Sequence, residues 1–206
     1  MGKFLIQRSP FHREHTLVIT PDVIEYDTGN GNEEGMVRIK KAEIVDVKHT
    51  TEAITWGGAS LGRKFCVDIK CTNNSTLSVV FNSYFSLKPE YIRTYFKMLR
   101  NLWDYYLRDL AEQKRERFLA GETLIFGKVK VTSHGIEVPV HGLTINWSDL
   151  VLVEERSFFV LSNQYAPDQS IRVPFNEWGS EVLCALVSTI LKRASVETPA
   201  RVRDLV

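Results

Sequence analysis

From Thr16 to Phe81 apolar and polar residues alternate with period two in strand-length runs broken by turn residues, which predicts an antiparallel sheet. The predicted strands cover 16–20, 23–27, 36–41, 43–50, 52–56, 65–71 and 76–81. Pro21-Asp22 separates the first two, the GNGNEEG stretch 29–35 the next two, and Thr72-Asn73-Asn74-Ser75 makes the last hairpin. Within 65–71, Phe65, Val67, Ile69 and Cys71 share one face while Cys66, Asp68 and Lys70 share the other. One face is therefore buried and one is wet.

From Pro89 the period becomes helical, with Ile92, Tyr95, Phe96, Leu99, Leu102, Trp103, Tyr106 and Leu110 recurring at three and four residues. Lys88-Pro89-Glu90 suits a helix start, with Pro in the first turn and an acid near the positive end of the dipole. The run turns polar in AEQKRERF until Gly121 stops it. A helix over 89–119 would be roughly 46 Å long at about 1.5 Å per residue, enough for its second half to bridge to a following unit. The competing expectation is a break near Glu112 followed by a linker.

The second half repeats the plan, with strands expected at 124–132, 135–139, 142–147, 149–155, 157–163 and 170–175. A closing helix over 176–193 follows, striped by Trp178, Val182, Leu183, Leu186, Val187, Ile190 and Leu191. The two halves also match residue by residue. Thr20, Ile24 and Glu25 correspond to Thr132, Ile136 and Glu137 at an offset of 112. Val37, Ile39, Glu43, Ile44 and Val47 correspond to Leu143, Ile145, Asp149, Leu150 and Val153 at 106, and Val79, Phe81 and Asn82 to Val173, Phe175 and Asn176 at 94. Three matches in one order, each ahead of the same kind of element, mark an internal duplication. The expected organisation is an N-terminal segment 1–15, a first domain 16–120, a second domain 121–193 and a loosely ordered tail 194–206.

Length agrees, because 206 residues hold two units of about 100 residues each. Hydrophobic residues at 44% and charged residues at 25% exclude a disordered or collagen-like chain. A net charge of +1 gives no long-range attraction to nucleic acid or to an anionic membrane, so any partner must be met by local patches. Cys66, Cys71 and Cys184 are too few for a disulfide scaffold. Cys66 and Cys71 point to opposite faces of one predicted strand and lie about 16 Å apart. Phe4-Leu5-Ile6 is too short for a signal peptide, and Ile6 stands where a myristoylation motif needs Ser or Thr. The expectation is a cytoplasmic protein, peripheral at a membrane if it binds lipid.

LVITPDVIEY followed by VRIKKAEIVDV, and VTSHGIEV followed by LTINWSDLVLV, resemble the pleckstrin-homology superfold, including the GRAM and bacterial PH-like families. The shared features are a strand ending in Thr that turns into a strand bearing an aliphatic residue, and a later apolar-x-apolar-x-x-acidic-aliphatic step, as in Trp147-Ser148-Asp149-Leu150. The resemblance spans about 16–193. It implies an α+β, mainly β chain of two tandem bent antiparallel β-barrels, each closed by a C-terminal amphipathic helix, with the first helix long and bridging. Trp103 and Trp178 would plug the two barrels as core residues. Fold likeness alone says little about ligand.

The candidate contact residues lie in TWGGASLGRKF, a stretch the second half lacks. Gly57, Gly62, Arg63 and Lys64 echo a phosphate-binding GxxxxGK[ST] loop, but Arg63 replaces its Lys, no Ser or Thr follows, and a strand comes next. Trp56, Arg63 and Lys64 instead suit a contact loop on a flexible hairpin, against the plainer reading of a solvated turn. Phosphoinositide-binding PH domains cluster cations around the first hairpin. Here that loop carries Asp27, Glu33 and Glu34, with Arg38, Lys40 and Lys41 after it, while the second half has only Lys128 and Lys130. On the helix between the units, Glu112 stands four residues from Arg108, so pairing accounts for part of its charge. His12 with His15 and His134 with His141 read as turn or surface residues. No spacing points to a metal, a cofactor or a catalytic set. The expectation is a non-catalytic binding or scaffold module for a protein or peptide, with anionic lipid contact through Arg38, Lys40, Arg63 and Lys64 as the alternative.

Overall fold

Alternation along the chain becomes alternation in space: Leu17, Ile19, Ile24 and Tyr26 lie on one face and none is more than 1% exposed. In the computed structural model residues 2–7, 14–27, 35–84 and 89–201 are described. His12, Glu33, Glu34 and Lys88, residues 29–34 of the expected turn and the tail beyond 201 lie outside them. The chain divides into two compact units, Met1–Asp109 and Leu110–Val206.

In the first unit, β1 (Gly2–Gln7), β2 (Glu14–Ile19), β3 (Val23–Asp27) and β4 (Met36–Lys40) form one antiparallel sheet in that order. A second antiparallel sheet holds β5 (Ile44–Trp56), β6 (Ala59–Cys71) and β7 (Thr76–Tyr84). The helix α1 (Pro89–Leu102) follows. In the second unit, β8 (Leu124–Phe126), β9 (Val129–Val131), β10 (Gly135–Val138) and β11 (Leu143–Asn146) make the four-stranded sheet, and β12 (Leu150–Glu154), β13 (Phe158–Asn163) and β14 (Ala166–Pro174) the three-stranded one. The helix α3 (Ser180–Arg201) ends it. The chain is thus mainly β, but each unit has two separate antiparallel sheets where a bent β-barrel closed by its C-terminal helix was expected.

The duplication extends to individual hydrogen bonds. Thr20 Oγ1 donates to the Val23 carbonyl at 3.0 Å and accepts from Val23 N–H at 3.1 Å; Thr132 Oγ1 does the same with Gly135 at 3.1 and 3.3 Å. Lys41 N–H donates to Asp22 O, and Trp147 N–H to His134 O. Thr72 N–H donates to Glu43 O, and Gln164 N–H to Asp149 O. Small turn-closing bonds between corresponding residues hold corresponding strands.

Several expectations need correction. Residues 2–7, expected only as part of an N-terminal segment ahead of the first domain, form a strand: Phe4 and Ile6 are 4% and 1% exposed, while Leu5 faces out at 59%. The expected strand 124–132 is two strands, because Gly127 at φ 55° turns the chain. Val47 does not correspond to Val153. Val45 is an extra residue in β5, a bulge that shifts the ladder by one, so that Val47 faces Ile69 as Leu152 faces Leu161. Val47 is buried at 1% and Val153 is 47% exposed.

The helix after β7 is helical without a break from Pro89 to Leu119, so it does not stop at Glu112. Trp103–Leu107 forms a π-helical turn, with Arg108 N–H bonded to Trp103 O, before α2 (Arg108–Leu119) resumes. The division between the units falls inside this helix. Gly121 stops it as expected: Gly121 N–H bonds Phe118 O and Glu122 N–H bonds Arg117 O, the paired bonds of a Schellman cap. Tyr95, Met98, Leu102, Tyr106 and Leu107 form its buried face. Phe96, expected there, is 58% exposed, and Trp103 and Trp178 are half-buried and do not plug either core. The closing helix runs on to Arg201, through part of what was expected to be a loose tail.

Candidate binding surface

The stretch nominated as a contact loop is a regular hairpin. β5 and β6 pair from Ile44 with Cys71 out to Trp56 with Ala59, and Gly57 and Gly58, at φ 56° and 84°, make its two-residue turn. Among the described residues β7 accompanies β6 only as far as Gly62, opposite Tyr84, so the ribbon beyond has two strands. Trp56 sits at its tip and is 77% exposed. Farther back, Lys64 Nζ binds Glu52 at 3.2 Å across the ribbon, and Arg63 pairs in register with Ala53.

Arg38 and Lys40 lie on β4, away from the hairpin tip in the chain's pairing order. Arg38 Nε binds Glu25 on β3 at 3.3 Å. Lys40 N–H is taken by Glu43 Oε2 at 2.8 Å, which ends the strand in the turn Lys41–Glu43. The structure therefore does not gather the five nominated residues into one site: Trp56, Arg63 and Lys64 share a hairpin, Arg38 and Lys40 share an edge strand. Charges on an edge strand also discourage chance strand pairing.

The sequence reading missed a feature that both units share. In the first, a groove of about 500 Å³ runs between β4, at Val37, Arg38 and Ile39, and the start of β7, at Thr76 and Leu77. In the second, a groove of about 470 Å³ runs between β11, at Leu143 and Thr144, and β14, at Asp168, Gln169 and Ser170. Val37 and Leu143, Arg38 and Thr144, and Thr76 and Ser170 are corresponding positions under the offsets of the repeat. Each groove is flanked by two strands that end their sheets: among the described residues β4 pairs only with β3 and β7 only with β6, β11 only with β10 and β14 only with β13. Such edges carry main-chain donors and acceptors that no neighbouring strand uses. Their linings mix aliphatic, hydroxyl and ionisable groups, including Glu43 in one and His141 and Asp168 in the other. The sequence carried no signal for them, because a strand pattern does not say which strand lacks a further partner.

The helix charges pair differently from expectation: Arg108 meets Asp104, and Glu112 meets Arg115. His15 is buried, donating Nδ1–H to Asp27 O at 3.0 Å and stacking on Tyr26. Among the described residues no three His, Cys, Asp or Glu side chains gather where they could hold a metal ion. Burial, reinforced by Asp68, pushes the Cys66 thiol up to about 11, and burial beside Glu154 pushes Cys184 up to about 12. Both sulfurs are protonated at neutral pH and are poor nucleophiles there. No helix among the described residues is long and apolar enough to cross a membrane.

Compared with protein-family models, curated proteins and solved structures, the chain finds no match.

Proposed function

We propose that this chain is a non-catalytic binding or scaffold module built from two PH-like units, each of which offers a sheet-edge groove to an extended segment of a protein partner. The observation that carries this reading is recurrence. Two halves that share few residues keep a groove of similar volume at corresponding positions, between the same pair of edge strands. An extended peptide can bond to an open edge through its main chain while alternate side chains enter the groove. Pairing of Arg38 with Glu25 and of Lys64 with Glu52 weighs against the anionic-lipid reading, since two of the four nominated cations already have a carboxylate.

The test is a peptide-display selection against the whole protein, followed by amide shift mapping with the enriched peptide. Perturbations should centre on Val37–Ile39 with Thr76–Leu77, or on Leu143–Thr144 with Asp168–Ser170. Val37→Asp and Leu143→Asp should weaken binding at their own groove only. Failure to enrich any peptide, or shifts elsewhere on the sheets, would overturn the reading.

A further inference from the structure

The ten residues from Ala53 to Gly62, AITWGGASLG, carry no charged side chain, and among the described residues the stretch from Thr55 to Leu61 lies beyond the end of β7, whose last residue, Tyr84, stands opposite Gly62. Thr55, Trp56, Gly57, Gly58, Ala59 and Ser60 are all exposed, and a Cβ built on either turn glycine meets nothing within 4 Å. An exposed tryptophan at the end of a projecting, uncharged ribbon is costly to leave in water. Charge returns at the base, where Glu52 and Lys64 pair across the strands and Arg63 lies beside them.

From this arrangement we infer that the hairpin tip is an interfacial membrane anchor, which places Trp56 at the headgroup level of a lipid bilayer. Three physical points select a lipid surface as the occupant. Tryptophan partitions to the membrane–water boundary, where its ring meets acyl chains while its N–H stays hydrated. Burying the tip desolvates no ionised group, and its only side-chain hydroxyls are those of Thr55 and Ser60. The flanks of Trp56 are glycine, alanine, serine and threonine, so they lack the charged or directional rim by which a protein pocket discriminates partners; a bilayer requires none. Among the described residues the ribbon's outer edges pair with no further strand, and main-chain groups of that kind need water, which limits insertion to the headgroup zone. Arg63, beside the Glu52–Lys64 pair, then stands at the depth of the lipid phosphates. This contact rests on an observation independent of the grooves, and differs from recognition of a headgroup by a cluster of cations.

Co-sedimentation of the whole protein with phosphatidylcholine vesicles, with and without phosphatidylserine, tests it. Wild type is expected to bind both to a similar extent and to retain binding when salt is raised. Trp56→Ala should lower the partition coefficient by about tenfold, Trp56→Asp should abolish binding, and Trp56→Phe should restore most of it. Thermal unfolding of each variant should match wild type, because the side chain is exposed. No vesicle binding by wild type, equal binding by Trp56→Ala, or a Trp56-dependent soluble partner without vesicle binding would each overturn the inference. Peptide shifts at the grooves should be unchanged in Trp56→Ala, so the two readings can fail separately.

Discussion

The phenol of Tyr106, in the π-helical turn, donates a hydrogen bond to the main-chain carbonyl of Thr20 at the end of β2. Tyr106 is 2% exposed, so this bond ties the helix to the first sheet from inside the core. Burial, with Asp22 adding to it, raises the phenol well above its ordinary value, and it remains a donor throughout the physiological range. Tyr106→Phe keeps the ring and leaves a carbonyl unsatisfied, at a cost of about 1–2 kcal/mol. Urea unfolding of the variant should show a lower midpoint with an unchanged slope; an unchanged midpoint would mean the bond contributes nothing net.

Thr132 carries the same structural task in the second unit, and its carbonyl is also taken by an aromatic donor, Trp147 Nε1 at 3.0 Å. The donors come from unrelated places in the two copies, one from a helix and one from the turn after β11. Thr20→Val and Thr132→Val should each cost about 1–2 kcal/mol. The loss should be greater at Thr132, which is 8% exposed, than at the half-buried Thr20. Hydrogen exchange at Val23 and Gly135 N–H should quicken in the respective variants, and equal exchange with wild type would refute the assignment.

The repeat was legible because Thr20, Ile24, Ile39 and Glu43 occupy positions where turn closure and burial leave little choice. What escaped the sequence has local causes. Phe4-Leu5-Ile6 is an unbroken apolar triplet, which conceals the period-two pattern of β1. Val45 adds one residue to a strand and breaks the parity that aligned Val47 with Val153. The π-helical turn breaks the 3.6-residue period, so Leu107 turns inward beside Tyr106 and Trp103 is carried aside. The grooves were illegible for a different reason: they are made by missing pairings, and a sequence pattern reports a strand without reporting its neighbours.

Gly62 and Gly135 tolerate no side chain. A Cβ on Gly62 would stand 1.9 Å from Ser83 O, and one on Gly135 2.0 Å from Ile145 O. Both obstacles are main-chain atoms of the adjoining strand and cannot swing away. Gly62→Ala and Gly135→Ala should each destabilise by about 1–3 kcal/mol. Thermal melts unchanged from wild type would show that the strands separate more easily than their register implies.

The thiols make stability fall in alkali. Cys66 and Cys184 ionise only near 11 and 12 in the folded chain, against 9.0 for an ordinary thiol. Above pH 9 the unfolded chain releases protons that the folded one retains, so unfolding becomes easier as pH rises from about 9 through the folded values. Below pH 9 both states keep the proton and these groups add no slope. Urea midpoints measured from pH 8 to 11 should be flat and then decline, and Cys66→Ser with Cys184→Ala should flatten that decline. Aryl-disulfide reagents at pH 8 should titrate these sulfurs slowly until denaturant is added.

Val45 has a consequence for building chimeras of the two halves. A splice guided by letters alone would join β5 to β12 one step out of phase and turn Val153 inward where Leu152 belongs. Excising Val45 from the graft restores phase, since Ile44 and Val47 then follow each other as Leu150 and Leu152 do. A single surplus amino acid thus decides whether the halves are interchangeable parts.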